Sequence, residues 1–317
     1  MSKNYHRLTG MIFNTPQMVR DDWLDMAVTW ANQAMSLNIV NLHVGGQLQA
    51  MHDDDGPLVE AIAPSERRLQ AARETGVYVL PIHGALVSRS AHLDMCTTMT
   101  SYEDIRGQLH AALNDGSVEH IALDIDSPGG SATGMTDLAE EVYAARAIKP
   151  ITAIVNFGAY SAAYGLASAA SEIVLSNSSG VGSIGVIARH VDMSKRYEEA
   201  GLKITTIFAG ARKADLSSDA PLSAEGAAWL TELVQQNYTE FTDQVARNRG
   251  ISVAAVRGTE AGVYFGQQAV ALGLADRIEP PQAAINRIAA QVAGNRKPQP
   301  VQRFSARAAA MDVRSRT

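Results

Sequence analysis

The sequence predicts an α/β fold in which a mostly parallel sheet is layered by helices, and three observations carry that expectation. Apolar, β-rich runs at 77–87, 121–125 and 151–155 are too uniformly apolar for strands with one wet face. Helical apolar spacing fills the intervals between them. Short joints bearing glycine or proline separate the two kinds of element.

Residues 16 to 52 read as one or two helices, with Trp23, Met26, Ala27 and Trp30 on one face, until Asp53-Asp54-Asp55-Gly56-Pro57 breaks the pattern. A short helix is expected from Ser65, as N-cap, to Arg73, closed by Gly76. Residues 1–76 thus form a helical N-terminal segment and linker. VYVLPIHGALV, starting at Val77, opens a core running to residue 280. A helix follows over Tyr102 to Leu113, and then the strand Ile121 to Ile125, which leads into Ser127-Pro128-Gly129-Gly130. The next helix turns Met135, Leu138, Ala139 and Val142 inward and Asp137, Glu140 and Glu141 outward. Ile151 to Val155 is a third strand, and Ser161 to Ala170 a helix of small residues that lets backbones approach closely. Further strands are expected at Ile173 to Leu175, Gly185 to His190 and Ile204 to Phe208. The longest helix spans Ser223 to Asn248, and GVYFGQQAVALGLADRI reads as a turn, a short helix and a last strand. Beyond Pro280 the pattern fades after IAAQVA, and 281–317 is expected to be a basic, flexible tail.

Composition narrows the function classes. With 46% apolar residues in 317 the chain can bury a substantial core. A net charge of −6 argues against nucleic acid as a partner. The charge is uneven: seven Lys/Arg against one acid after residue 280 give that end +6, leaving −12 elsewhere, which reads as a solvated end. Cys96 is the sole cysteine, so no internal disulfide forms and a cytoplasmic location is expected. CTTMTSYED around it offers no base to make a thiolate, and Cys96 reads as a packing residue. No stretch approaches the roughly 18 apolar residues of a membrane span, so no membrane is expected. No H-E-x-x-H, paired-cysteine or Walker pattern is present, and neither cofactor nor metal is expected.

Four places could carry chemistry. Ser127-Pro128-Gly129-Gly130 ends a buried strand, where α/β sheets tend to hold ligands, and its glycines could offer an N–H to an oxyanion; a plain turn would look the same. Ser161 opens the small-residue helix, where the Ala162 N–H could join that hole, although most serines at such places are N-caps. Ala159 and Ala163 occupy the glycine positions of a G-x-S-x-G elbow, which disfavours an α/β-hydrolase. Of six lysines, Lys213 in the loop GARKAD could act as general base; doing so near neutrality requires depressing its pKa by roughly 3 units, about 4 kcal/mol, chiefly through burial. A solvated loop lysine is the bland alternative. Ser183 in GSIG could orient that amine or be a turn serine, and His190 is a rival base that equally suits a structural role.

Taken in order, SPGG, Ser161 within AYSAAYGLASAA, GSIGV, Lys213 within GARKAD and GVYFGQQAVALGLAD resemble the S49 peptidases over about residues 77 to 280. The resemblance implies a ClpP/crotonase fold and a Ser-Lys dyad. Ser161 would be nucleophile, Lys213 base, Gly130 and Ala162 the oxyanion hole and Ser183 the lysine-orienting serine. Ala162-Ala163 stands where many members have Gly-Gly, which narrows the pocket. MIFNTPQM and the segment up to DDDGP are similar to the phage capsid-assembly branch. That branch implies a prohead protease, located inside the prohead in the host cytoplasm, cleaving scaffold, portal or other head proteins. It also implies a homo-oligomer, in which the lysine can reach a serine across a subunit interface. Alternatives are a cellular signal peptide peptidase-like protease, a crotonase-type acyl-CoA enzyme, which would need carboxylates at the site, and a non-catalytic head scaffolding component.

Overall fold

The computed structural model describes residues 16–20, 64–89 and 99–296. The helix expected around Trp23 to Trp30, the acidic turn and Cys96 lie outside the described residues.

The chain enters through a three-residue strand β1 (Gln17–Val19) and, after residue 63, helix α1 (Pro64–Thr75), which Gly76 closes at φ 77 with its N–H on Ala72 O. There follow β2 (Val77–His83), β3 (Ala85–Val87), β4 (Met99–Ser101), α2 (Tyr102–Asn114), β5 (His120–Ser127), β6 (Gly129–Ser131) and α3 (Met135–Ala145). The second half runs β7 (Ile151–Tyr160), α4 (Ala162–Ser168), β8 (Glu172–Leu175), β9 (Gly180–Gly182) and α5 (Ser194–Glu199). It ends with α6 (Ala224–Arg249), α7 (Val253–Arg257), β10 (Val263–Phe265), α8 (Gly266–Ala271), β11 (Arg277–Ile278) and α9 (Pro281–Asn295).

The expected mostly parallel sheet is present. β2, β5 and β7 lie side by side in parallel, and β7 is long enough to take two further parallel neighbours, β8 along Thr152 to Val155 and β9 along Gly158 to Tyr160. β11 extends it beside β8, and β10 closes the other branch antiparallel to β9. A second, small sheet in the order β1-β6-β3-β4 stands at its edge.

Both faces are covered, which is why the strands read as unbroken apolar runs. Alternate residues point to opposite faces. Leu80, Ile82, Ile121, Leu123 and Ile125 pack with Ile105, Leu109, Leu138, Tyr164 and Phe241 of the helices on one face. Val77, Ala122, Ile154 and Val174 pack with Ala284, Ile288 and Val292 of α9 on the other.

Four expectations are corrected. Residues 281–295 form a packed helix in place of the start of a loose tail: Ala284 and Ile288 are fully buried. Their i, i+4 stripe is narrow but enough to cap one sheet face, and Arg287 is paired with Glu172 and Glu279, so part of the basic charge belongs to the fold. The stretch 204–208 is no strand; it lies exposed, Ile207 at 93%. Of 185–190 only Ile187 makes a β-bridge, to Gln17. Apolar and β-branched residues suggested strands there, but pairing needs a partner edge, and neither stretch has one of useful length. Gln17 to Val19, expected to be helical, is extended because it pairs with β6.

Candidate active site

The site is built where β7 divides its neighbours. β5 and β7 stay in register from Ile121↔Ile151 to Ile125↔Val155; the register then slips, and Ser127 pairs with Ala159. The slip lets β7 run on past β8 to Tyr160 and deliver Ser161 at the C-terminal end of the sheet, where parallel sheets place their ligands.

Ser161 is held in an unusual conformation, φ 54 and ψ −118, which non-glycine residues rarely adopt. Its N–H donates to Gly182 O at 2.8 Å and its carbonyl accepts from Gly165 N–H at 3.0 Å, so the residue is pinned on both sides. It precedes α4 yet its side chain makes no cap bond. The buried hydroxyl has only a long contact, donating to Gly185 O at 3.4 Å. The ordinary N-cap reading therefore does not describe Ser161. Ala162, whose N–H is the first in the helix and has no intrahelical acceptor, is fully buried beside it.

The SPGG segment crosses between the two sheets. Gly129 Hα occupies a place no side chain could take: its φ is 101, and a Cβ there would lie 2.2 Å from Met18 O, 2.8 Å from Tyr160 O and 3.0 Å from Ser161 Cβ. Gly130 sits between β1 and β3. Arg20 N–H donates to Pro128 O and Ala132 N–H to Pro16 O. Bonded pairs alternate in an antiparallel ladder, which makes Met18 and Gly130 the intervening pair that exchange N–H···O bonds. The Gly130 N–H, expected to serve an oxyanion, is thus turned toward Met18.

Ser183 follows Gly182, the backbone partner of Ser161, and is itself at φ 53 with its N–H on Gly262 O. It is brought to the site's edge. Lys213 is not. It is exposed in a turn at 209–216, its N–H donating to Gly210 O at 3.0 Å, and among the described residues no hydrogen bond joins it to Ser161 or Ser183. The neighbouring Arg212 pairs with Asp215 and lies 5.8 Å from the Trp229 ring. His190 lies on a stretch without strand structure.

The end of β5 that leads into SPGG carries charge of its own. His83 Nε2 lies 2.9 Å from Asp124 Oδ2, and that bond raises the histidine above its usual range. Burial raises the Asp126 carboxyl. Among the described residues no cluster of side chains is suited to a metal ion, and no helix is long and apolar enough to cross a membrane. The sequence reading missed β1, whose three residues have no periodicity of their own; MIFNTPQM drew notice only through its resemblance.

In this α/β sheet a strained, buried serine thus lies between a parallel strand and a helix. Residues 144–294 match the model of peptidase family S49. It is 34% identical to the head-tail preconnector protein GP5 of Enterobacteria phage P21, over 93% of this chain and 59% of that protein. It is 33% identical to the capsid assembly protease C of Escherichia phage lambda, over 87% of this chain and 63% of that protein. The chain thus spans about three fifths of the length of these relatives. Among solved structures it is similar to a ClpP1 mutant from Listeria monocytogenes, with a TM-score of 0.42 and 12% identity over 68% of this chain and 98% of that one. A likeness of that degree adds nothing to the strand order described above.

Proposed function

We propose that the chain is a serine endopeptidase that cleaves head proteins during phage capsid assembly, with Ser161 as nucleophile and Lys213 as base. The observation that carries it is the conformation of Ser161: backbone strain is held at a buried serine whose hydroxyl does no structural work. The similarity to a capsid assembly protease supports the capsid-assembly part of the reading.

In this reading the Lys213 amine takes the Ser161 proton as the hydroxyl attacks a peptide carbonyl. The Ala162 N–H, with the Gly130 N–H once it is free, holds the oxyanion, and the lysine returns its proton to the leaving amine. Water then releases the acyl group from the serine. Ser183 accepts a hydrogen bond from the amine in this reading and aims it.

In this reading Lys213 comes from a neighbouring copy. Its loop is exposed, and the stretch leading to it presents Leu202, Ile204, Ile207 and Phe208 to solvent, the last two 93% and 52% exposed. Such an apolar stripe fits an arm that packs against a second copy of the chain. Burial there would depress the lysine pKa as a base requires. Catalysis is then tied to assembly, as a protease working inside a procapsid needs.

The test is cleavage of the cognate scaffold protein followed by intact mass. Ser161→Ala and Lys213→Ala should abolish cleavage and His190→Ala should keep it. Loss on changing His190 with retention on changing Lys213 would assign the base to the histidine.

A further inference from the structure

The small sheet has a strand where a peptide would be expected. β6 continues directly from the SPGG turn beside Ser161, and both its edges are occupied: β3 pairs with one and β1 with the other. β1 is itself gripped from its far side, since Gln17 N–H donates to Ile187 O at 2.7 Å and Ile187 N–H to Gln17 O at 2.9 Å. Residues 17–19 therefore lie as an extended strand in a slot between β6 and Ile187, antiparallel to both. Gln17 uses one side of the slot and Met18 the other, the alternation of a bound peptide in strand addition.

The slot runs close beside Ser161. A single point beside Gly129 is crowded by both Met18 O and Ser161 Cβ, and Arg20 lies 5.1 Å from the ring of Tyr160, the residue before the serine. The Met18 side chain is fully buried and Gln17 is 7% exposed, so the slot receives them as a site receives a ligand. Ser161 itself is fully buried. The Met18 carbonyl takes the Gly130 N–H that an incoming peptide carbonyl would use.

We infer that the slot between β6 and Ile187 is a binding site for an extended peptide with an apolar side chain at the Met18 position, and that the chain's own N-terminal strand fills it and blocks Ser161. The inference rests on the peptidase reading for the identity of the displaced ligand, but the occlusion does not. Among the described residues β1 is a three-residue strand held by its ladder to β6, the flanking Arg20–Pro128 and Ala132–Pro16 bonds and the Gln17–Ile187 pair, short enough to leave without the core unfolding. A protein substrate enters by exchanging one strand for another.

Occlusion is measured without catalysis. In a Cys96→Ser background, Ser161→Cys places a thiol at the covered position, and its alkylation by iodoacetamide is compared with and without Gln17→Pro, which removes the N–H to Ile187. Release of the strand should speed alkylation about tenfold or more. Equal rates overturn the inference. If alkylation speeds up while the Ser161 chain with Gln17→Pro gains no cleavage of an unstructured Met-containing peptide, the slot and its occlusion stand and the peptidase reading fails. Should Gln17→Pro disturb the fold, hydrogen exchange of the unaltered chain decides. The Met18, Gly130 and Ile187 amides should exchange together, faster than the β5 amides. Exchange of all of them only with the β5 amides overturns the inference.

Discussion

At the scale of single residues, the site depends on positions where no other residue fits. Gly129 combines φ 101 with Met18 O 2.2 Å from any added Cβ, so Gly129→Ala should strain the backbone and expel β1. The expected loss of stability is about 1–3 kcal/mol, read by urea unfolding. A loss near zero would mean that β1 is not docked against Gly129. Ser161→Ala should not destabilise the chain, because the hydroxyl makes no strong bond.

His120 illustrates a residue whose titration matters to the fold instead of the chemistry. Burial lowers its pKa to about 4, with the Thr152 hydroxyl 2.9 Å from Nε2. The unfolded chain binds the proton below about pH 6.5, before the folded chain does. The histidine thus withdraws stability as pH falls from about 6.5 to 4, and the loss is complete below that. His120→Gln should unfold at a lower pH than the parent in acid titration followed by circular dichroism; an unchanged acid midpoint would contradict the assigned burial.

At the scale of elements, the parallel sheet was legible because burial on both faces makes β2, β5 and β7 uniformly apolar, a pattern that needs no knowledge of partners. The helices were legible from their stripes and caps; Ser223 does cap α6, accepting from Gly226 N–H. What was hidden depended on partners distant in sequence. Gln17 to Val19 is a strand only because Gly129 to Ser131 lies beside it, and Gly180 to Gly182, poor in β-forming side chains, is a strand only because β7 outruns β8. α9 belongs with these. Its few apolar residues looked like a fading pattern, yet Ile288 is fully buried, and Ile288→Ala should cost about 2–5 kcal/mol in denaturant unfolding. A cost below about 1 kcal/mol would return this helix to the tail.

At the scale of the whole molecule, the site was legible as an ordered set of motifs but not as a geometry. Ser161, Ser183 and the SPGG turn meet in one chain because the sheet brings them together. Lys213 does not join them, and among the described residues nothing covers the exposed arm from Leu202 to Phe208. Ile207→Asp, on that arm, should weaken self-association in analytical ultracentrifugation and lower cleavage in parallel.

The central claim is that the dyad forms between copies, and subunit mixing tests it most directly. Chains carrying Ser161→Ala and chains carrying Lys213→Ala, each inactive alone, are co-expressed in equal amounts and assayed for scaffold cleavage. A dyad shared between copies restores about a quarter of the sites, those pairing an intact serine with an intact lysine. No recovery in mixed assemblies of normal size would contradict the account.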